Sequence, residues 1–215
     1  MLDALLFFGS LLGTPNFDEI WDVATDNNGY IYLAGAITRE IETDALIVKI
    51  DPKTSTLIYV KEIGGTGTDK ALGIDADSDG NAYVTGQTDA FNFPISNGAY
   101  FDENDSDTRG AFILKISSDV SQIYYSTSLG NTFARGLDVV VDENGNAYIT
   151  GESGSLGGTN TTDVFPTTNG SFGACQNGGR AFLSKISPDG SSLIYSGCIE
   201  AFSDGYGVDI NSNNQ

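Results

Sequence analysis

Acidic residues are the main candidates for chemistry in this sequence, and three of them stand at alternate positions. Asp75, Asp77 and Asp79 precede a glycine, which matches the first half of an EF-hand-type calcium loop. The second half does not match, because Gly86 stands where such a loop has its bidentate Glu. A polar hairpin turn explains this string and two similar strings elsewhere, so we favour a turn. The alternative is weak calcium binding.

A second candidate site is a run that mixes aromatic and acidic residues. It comprises Tyr100, Phe101, Asp102, Glu103, Asp105 and Asp107. Aromatic rings beside carboxylates would suit a glycan, a calcium ion or a basic peptide. The run does not recur elsewhere in the chain, so we predict that it contacts a ligand.

The chain has no His, and its two cysteines are Cys175 and Cys198. Without His, Ser-His-Asp and Cys-His catalysis are excluded, and any catalysis would depend on carboxylates. The cysteine spacing fits no zinc motif. The two residues are either a disulfide, which we expect if the protein is secreted, or two buried thiols.

The charge of the chain restricts its partners. Ten basic and 29 acidic residues give a net charge of −19, which repels nucleic acid and anionic lipid. No apolar segment is long enough to span a membrane. We therefore expect neither nucleic-acid binding nor membrane insertion.

Internal repeats are the strongest signal for the fold. The runs DNNGYIYLAG at 26–35, DSDGNAYVTG at 77–86 and DENGNAYITG at 142–151 are closely similar, and each is followed by a strand-like run that contains a Lys and then by one that contains Ile-Tyr or Tyr-Tyr. The leading Asp recurs after 51 and then 65 residues, a period typical of propeller blades. The sequence predicts an all-β propeller whose blades have four antiparallel strands, here named A to D.

Two further residue types recur with the blades. Lys49, Lys115 and Lys185 occupy one position of strand C, and we expect each to pair with an acidic neighbour or to extend to the rim. The dipeptides Phe93-Pro94 and Phe165-Pro166 lie in long loops between strands B and C. Their recurrence indicates a structural role, with Phe filling the gap between blades.

These motifs together resemble the bacterial β-propeller repeat family called SBBP. The pattern is Asp-x-x-Gly-Asn-Ala-Tyr-Val-Thr-Gly, Phe-Pro, Ala-Phe-Ile-x-Lys-Ile-Ser-Pro-Asp-Gly and Leu-Ile-Tyr-Ser, and the first copy departs from it by lacking Phe-Pro. The resemblance implies a propeller in a large secreted or surface-anchored protein. It implies no catalytic residues.

The predicted blades do not fill the chain. We assign residues 14–64, 65–130 and 131–200 to three whole blades, 1–13 to the outer strand of a preceding blade and 201–215 to the first strand of a following one. Three blades do not close a disc. We therefore expect Leu5, Phe7 and Leu11 to be covered by further segments, further copies or partner proteins.

The sequence predicts a non-enzymatic, secreted or cell-surface module for scaffolding or adhesion, without a cofactor other than a weakly bound calcium ion. The first alternative is a propeller that binds a glycan or binds a ligand with calcium. A carboxylate-based sugar hydrolase or lyase is a third alternative, weakened by the absence of His.

Overall fold

The computed structural model describes residues 18–100, 109–130, 133–153, 165–173, 175, 180–202 and 204–211. Twelve strands lie in these residues, and they contain no helix, hence no helix long and apolar enough to cross a membrane. The strands are β1 Asp18–Thr25, β2 Ile31–Arg39, β3 Glu42–Asp51, β4 Thr56–Ile63, β5 Asp69–Ala76, β6 Ala82–Thr88, β7 Gly110–Ile116, β8 Ile123–Leu129, β9 Arg135–Val141, β10 Ala147–Glu152, β11 Arg180–Ile186 and β12 Leu193–Phe202.

The strands form three four-stranded antiparallel sheets in chain order. We call β1–β4 blade 1, β5–β8 blade 2 and β9–β12 blade 3, each with strands A to D. The predicted all-β fold with four-stranded blades is confirmed. The first strand of each blade contacts strands A to C of the blade before it, so that β5 lies on β1, β2 and β3.

The turn between strands A and B has the same construction in all three blades. Asp77 Oδ1 accepts the amides of Asp79 and Asn81 at 3.1 and 2.9 Å, and Gly80 has φ +78°. A short carboxylate satisfies the turn backbone, and glycine tolerates the left-handed conformation. Asp26 and Asp142 accept the corresponding amides in blades 1 and 3.

Strand A carries a β-bulge in every blade, and the glycine of strand B makes room for it. The register shifts at Trp21, Leu72 and Leu137, which have no Cα partner in strand B. A Cβ on Gly86 would lie 1.8 Å from the carbonyl oxygen of Lys70. The Gly that ends each repeated run is therefore required by the close approach of strand A.

The hydrophobic core lies between the blades. One cluster joins Tyr32 and Ile47 of blade 1 to Leu114 of blade 2, and a second joins blade 2 to blade 3. Phe93 stacks on Phe112 with ring centroids 4.7 Å apart, and Phe165 lies 4.3 Å from Phe182. The predicted role of the Phe-Pro dipeptides, filling the gap between blades, is confirmed.

The long B–C loops then follow the outer edge of strand D. Ser96 bonds to Ser126 on β8, and Thr168 bonds to Ser196 on β12. In blade 3, Cys198 donates its amide to the carbonyl of Gly173 at 3.3 Å. Cys175 and Cys198 form a disulfide with their Cα atoms 5.1 Å apart, the bridge that the sequence analysis favours for a secreted protein.

The segments at both ends of the chain are only partly described. Residues 1–17 lie outside the described residues, so the outer strand at 1–13, with Leu5, Phe7 and Leu11, stays a prediction. Residues 204–211 follow blade 3 without strand pairing among the described residues. The amide of Gly205 nevertheless donates to Gly151 of β10 at 3.1 Å.

We predict that Gly86→Ala lowers the free energy of unfolding by about 2 kcal/mol, because a methyl group would overlap the backbone of the bulge. Urea denaturation monitored by circular dichroism measures the change. Gln87→Ala, at the next position of β6, is the control and should have little effect. Equal stability of Gly86→Ala and the natural protein would contradict the role assigned to this glycine.

Candidate functional site

Asp, Tyr and Lys side chains meet at the A–B turn of every blade, the arrangement in this fold most like a catalytic site. In blade 1, the Tyr32 hydroxyl donates to Asp26 Oδ2 at 3.0 Å or to the carbonyl of Gly80, 2.9 Å away in the next blade. Lys49 Nζ lies 4.9 Å from the ring centroid of Tyr32 and donates to the carbonyl of Ser118 at 3.3 Å. Both side chains therefore contact blade 2 through its turns.

Blade 2 has the same three residue types, and its tyrosine makes the same contact toward blade 3. Lys115 Nζ lies 3.2 Å from Asp77 Oδ2 and 4.7 Å from the ring centroid of Tyr83. The Tyr83 hydroxyl is 3.4 Å from both Asp77 Oδ2 and the carbonyl of Gly145. In both blades the Tyr of strand B thus reaches a carbonyl in the A–B turn of the blade that follows, and in blade 1 the Lys contacts the next blade as well.

Blade 3 has the third copy of the cluster. Lys185 Nζ donates to the Tyr148 hydroxyl at 2.6 Å and lies 3.4 Å from Asp142 Oδ2. Asn146 Nδ2 also donates to Asp142 Oδ2, at 2.8 Å. The predicted pairing of the strand C lysines with acidic neighbours is confirmed for Lys115 and Lys185, whereas Lys49 instead donates to backbone carbonyls.

The electrostatics of these clusters favour protonated phenols and an ionised Asp142. Burial, and then the hydrogen bond to Asp26, raise the pKa of Tyr32, and burial raises the pKa of Tyr83 in the same way. Burial opposes ionisation of Asp142, but hydrogen bonds from Asn146 and the charge of Lys185 outweigh it, so its pKa is lowered. A protonated phenol donates a hydrogen bond to an ionised carboxylate, and in blades 2 and 3 the same carboxylate pairs with a lysine.

Strand A contributes a second set of carboxylates, which bridge neighbouring blades. Asp22 Oδ2 accepts the amide of Ile74 in blade 2 at 2.8 Å. Asp75 Oδ2 accepts the amide of Val141 in blade 3 at 2.8 Å. Asp138 Oδ2 accepts the amide of Val208 at 2.8 Å. We call these three residues the hub carboxylates.

Each hub carboxylate also accepts the amide of the residue that follows it, as Asp75 Oδ1 does from Ala76 at 2.8 Å. Burial raises the pKa of Asp75 and Asp138 despite these bonds, and the charges of the neighbouring aspartates add to the effect. The described residues contain no group of three or more acidic or Cys side chains that could hold a metal ion.

A polar hollow of about 710 Å³ opens on the side of the blades where the A–B turns lie. Asn27 lines it from blade 1, Asp77 and Asp79 from blade 2, and Asp142 and Glu143 from blade 3. Lys115 also lines the hollow, so a positive charge stands among its carboxylates. The lining of the hollow is largely polar, and two of its carboxylates, Asp77 and Asp142, are already paired with lysines.

The predicted calcium string is divided between two structural roles. Asp75 turns to blade 3, whereas Asp77 caps its own turn and pairs with Lys115. Asp79 is exposed, and its amide donates to Asp77. Two of the three carboxylates therefore already have other partners. Calcium binding at these residues stays a prediction.

The predicted aromatic and acidic site is described only at its first residue. The amide of Tyr100 donates to the carbonyl of Gly190 at 2.8 Å, so Tyr100 lies at the C–D turn of blade 3. Burial raises the pKa of its phenol. Phe101, Asp102, Glu103, Asp105 and Asp107 lie outside the described residues, and ligand binding by this run stays a prediction.

Sequence reasoning missed the hub carboxylates Asp22 and Asp138. Each precedes its turn aspartate by four residues, whereas Asp75 precedes Asp77 by two. The position of the carboxylate on strand A differs between blades. Aligning the repeats on the turn aspartate therefore does not place these residues in one column. An acidic residue flanked on both sides by apolar residues in strand A was the available signal.

We predict that Asp142→Ala lowers the free energy of unfolding by about 2 kcal/mol, because it leaves turn amides unsatisfied and Lys185 unpaired. Because the folded-state pKa of Asp142 is lowered, its contribution is present above the ordinary value of 3.8 and is lost as pH falls through the folded value. Urea denaturation at several pH values measures both effects. Asp79→Ala is the control, and an equal loss in the two variants would contradict the prediction.

We predict opposite effects for two changes at Asp138. Ala removes the acceptor for Val208 and destabilises by about 1 kcal/mol, whereas Asn keeps an oxygen there and removes the buried charge. The folded-state pKa is raised, so the cost of ionisation appears as pH rises through it. Asp138→Asn should therefore match or exceed the natural protein in stability at neutral pH, with a smaller advantage in acid. Destabilisation by Asn equal to that by Ala at neutral pH would contradict this account.

Comparison with known families gives one match. Residues 58–94 match the family model of the SBBP β-propeller repeat, from strand D of blade 1 to the Phe-Pro dipeptide of blade 2. No curated protein matches the chain. The resemblance noted in the sequence is thus confirmed by the match of residues 58–94 to an SBBP β-propeller repeat, and these residues lie in the first two of the three four-stranded blades.

Proposed function

We propose that this chain is a non-enzymatic propeller module that serves as a scaffold or adhesion element outside the cell. The observation that carries the proposal is the repeated use of its reactive residue types in contacts between blades. Tyr32 and Tyr83 both reach the next turn, and Asp22 and Asp75 both accept amides of the next strand A. Residues that recur at the junctions between repeats hold neighbouring repeats together.

The disulfide supports the proposed location. Cys175 lies at the end of the long loop that follows the edge of β12, and its bridge to Cys198 fastens that loop to the strand. Disulfides persist in oxidising compartments and are rare in the cytosol. The net charge of −19 suits a soluble surface exposed to solvent and ions.

Ligand binding is the second candidate function, and the polar hollow on the turn side favours it. Its lining combines the carboxylates of Asp79 and Glu143 with the amide side chains of Asn27 and Asn144. Such groups suit a glycan or a ligand held with calcium. A glycan screen with and without calcium separates this role from a purely structural one.

We predict that antibodies against this chain label intact cells of its source or recover it from the medium, with Cys175 and Cys198 linked in peptide maps made without reductant. A lysed sample is the control for antibody access. Protein found only after lysis, with both thiols free to alkylation, would contradict the proposed location.

A further inference from the structure

The outer strands of the three blades differ in whether their edge is covered. In blade 2, the amide of Ser96 donates to the carbonyl of Ser126 at 2.9 Å, and Ser96 Oγ accepts the amide of Ser126 at 2.9 Å. In blade 3, Thr168 makes the same two bonds with Ser196, at 2.9 and 3.0 Å. A Ser or Thr two residues after Pro thus occupies the edge of strand D in both blades.

Blade 1 has the same edge without a loop to cover it. Its strands B and C are joined by the two residues Glu40 and Ile41. Val60 pairs with Val48 as Ser126 pairs with Leu114, so the amide and carbonyl of Val60 face away from the sheet. In the described residues, neither group has a partner outside the sheet.

The exposed fraction of the residue at this position of strand D also differs between the blades. Val60 is 39% exposed, whereas Ser126 and Ser196 are 1% and 0% exposed. Ile58, two residues before Val60, is exposed to the same degree as its equivalents Tyr124 and Ile194, so the difference between the blades lies at Val60. An open edge with free backbone groups is a template for a further strand.

We propose that the outer edge of β4 binds an extended segment of a partner protein that carries a Ser or Thr opposite Val60. The hydroxyl accepts the Val60 amide, and the backbone amide of the same residue donates to the Val60 carbonyl, as Ser96 and Thr168 do in this chain. Strand addition of this kind takes affinity from main-chain bonds and specificity from side chains.

The partner is defined by the hydroxyl residue and needs no Phe before it. Phe93 and Phe165 pack on Phe112 and Phe182, but the equivalent residue of blade 1 is Leu46. Leu46 is already buried with Val48 and Ile50, so no pocket for a ring is open beside it. The inference deepens the proposed adhesion role by naming a class of partner, but binding to β4 does not depend on where the protein is located.

A peptide with the sequence of residues 92–100 of this chain tests the proposal, since it contains the segment around Ser96 that covers β8. Titrated into the full chain and followed by amide NMR, it should bind saturably and shift the Val60 amide most. Replacing the Ser with Ala, or methylating its backbone nitrogen, removes one bond each and should weaken binding about threefold to tenfold.

Three outcomes would overturn the proposal. These are no shift of Val60 at millimolar peptide, equal binding of the N-methylated peptide, and shifts centred on Ser126, where the peptide would be displacing the natural loop. A concentration-dependent dimer that protects Val60 without peptide would assign the edge to a second copy and also contradict the proposed partner. The cell-labelling result is independent of all four.

Discussion

The structure depends on the hydrogen bond by which a carboxylate on strand A of one blade accepts a backbone amide on strand A of the next. Asp22 and Asp75 each make this bond at 2.8 Å, and Asp138 accepts the amide of Val208, in the segment that follows blade 3, at the same distance. A carboxylate buried at such a junction loses hydration, and the raised pKa of Asp75 and Asp138 records that cost. Bonds to two amides offset the cost and fix how strand A of the next blade aligns.

The apolar contacts between blades follow from that alignment. Once strand A of blade 2 is placed against blade 1, Tyr32 reaches the carbonyl of Gly80 and Phe93 closes the gap above Phe112. Main-chain and carboxylate bonds set the register, whereas burial of the aromatic and aliphatic side chains supplies the larger part of the stability. Part of the acidic composition therefore belongs to the junctions between blades, where carboxylates accept hydrogen bonds from backbone amides.

The repeat allowed most of the fold to be predicted, because the Asp-x-Asx-Gly turn, the Tyr of strand B and the Lys of strand C occupy the same positions of the strand pattern in every blade. The bulge in strand A was not predicted, since it depends on how a strand meets the glycine opposite. Ligand contact was expected at Tyr100 to Asp107 of the second long loop and stays a prediction, whereas Ser96 and Thr168 fasten the described parts of both long loops to strand edges. Sequence spacing alone does not show which edge a loop will follow. The calcium string matched the start of a calcium loop because its aspartates stand at alternate positions, but Asp75 bonds to the next blade and Asp77 to its own turn.

Native-state hydrogen exchange of single amides tests the role of the hub carboxylates most directly. The amides of Ile74 and Val141 point to carboxylates of the preceding blade, so we expect both to exchange as slowly as amides within the sheets. Asp75→Ala should release the Val141 amide selectively and leave Ile74 protected. Fast exchange of both amides in the natural protein, or an unchanged Val141 amide in Asp75→Ala, would contradict the claim that these bonds join the blades.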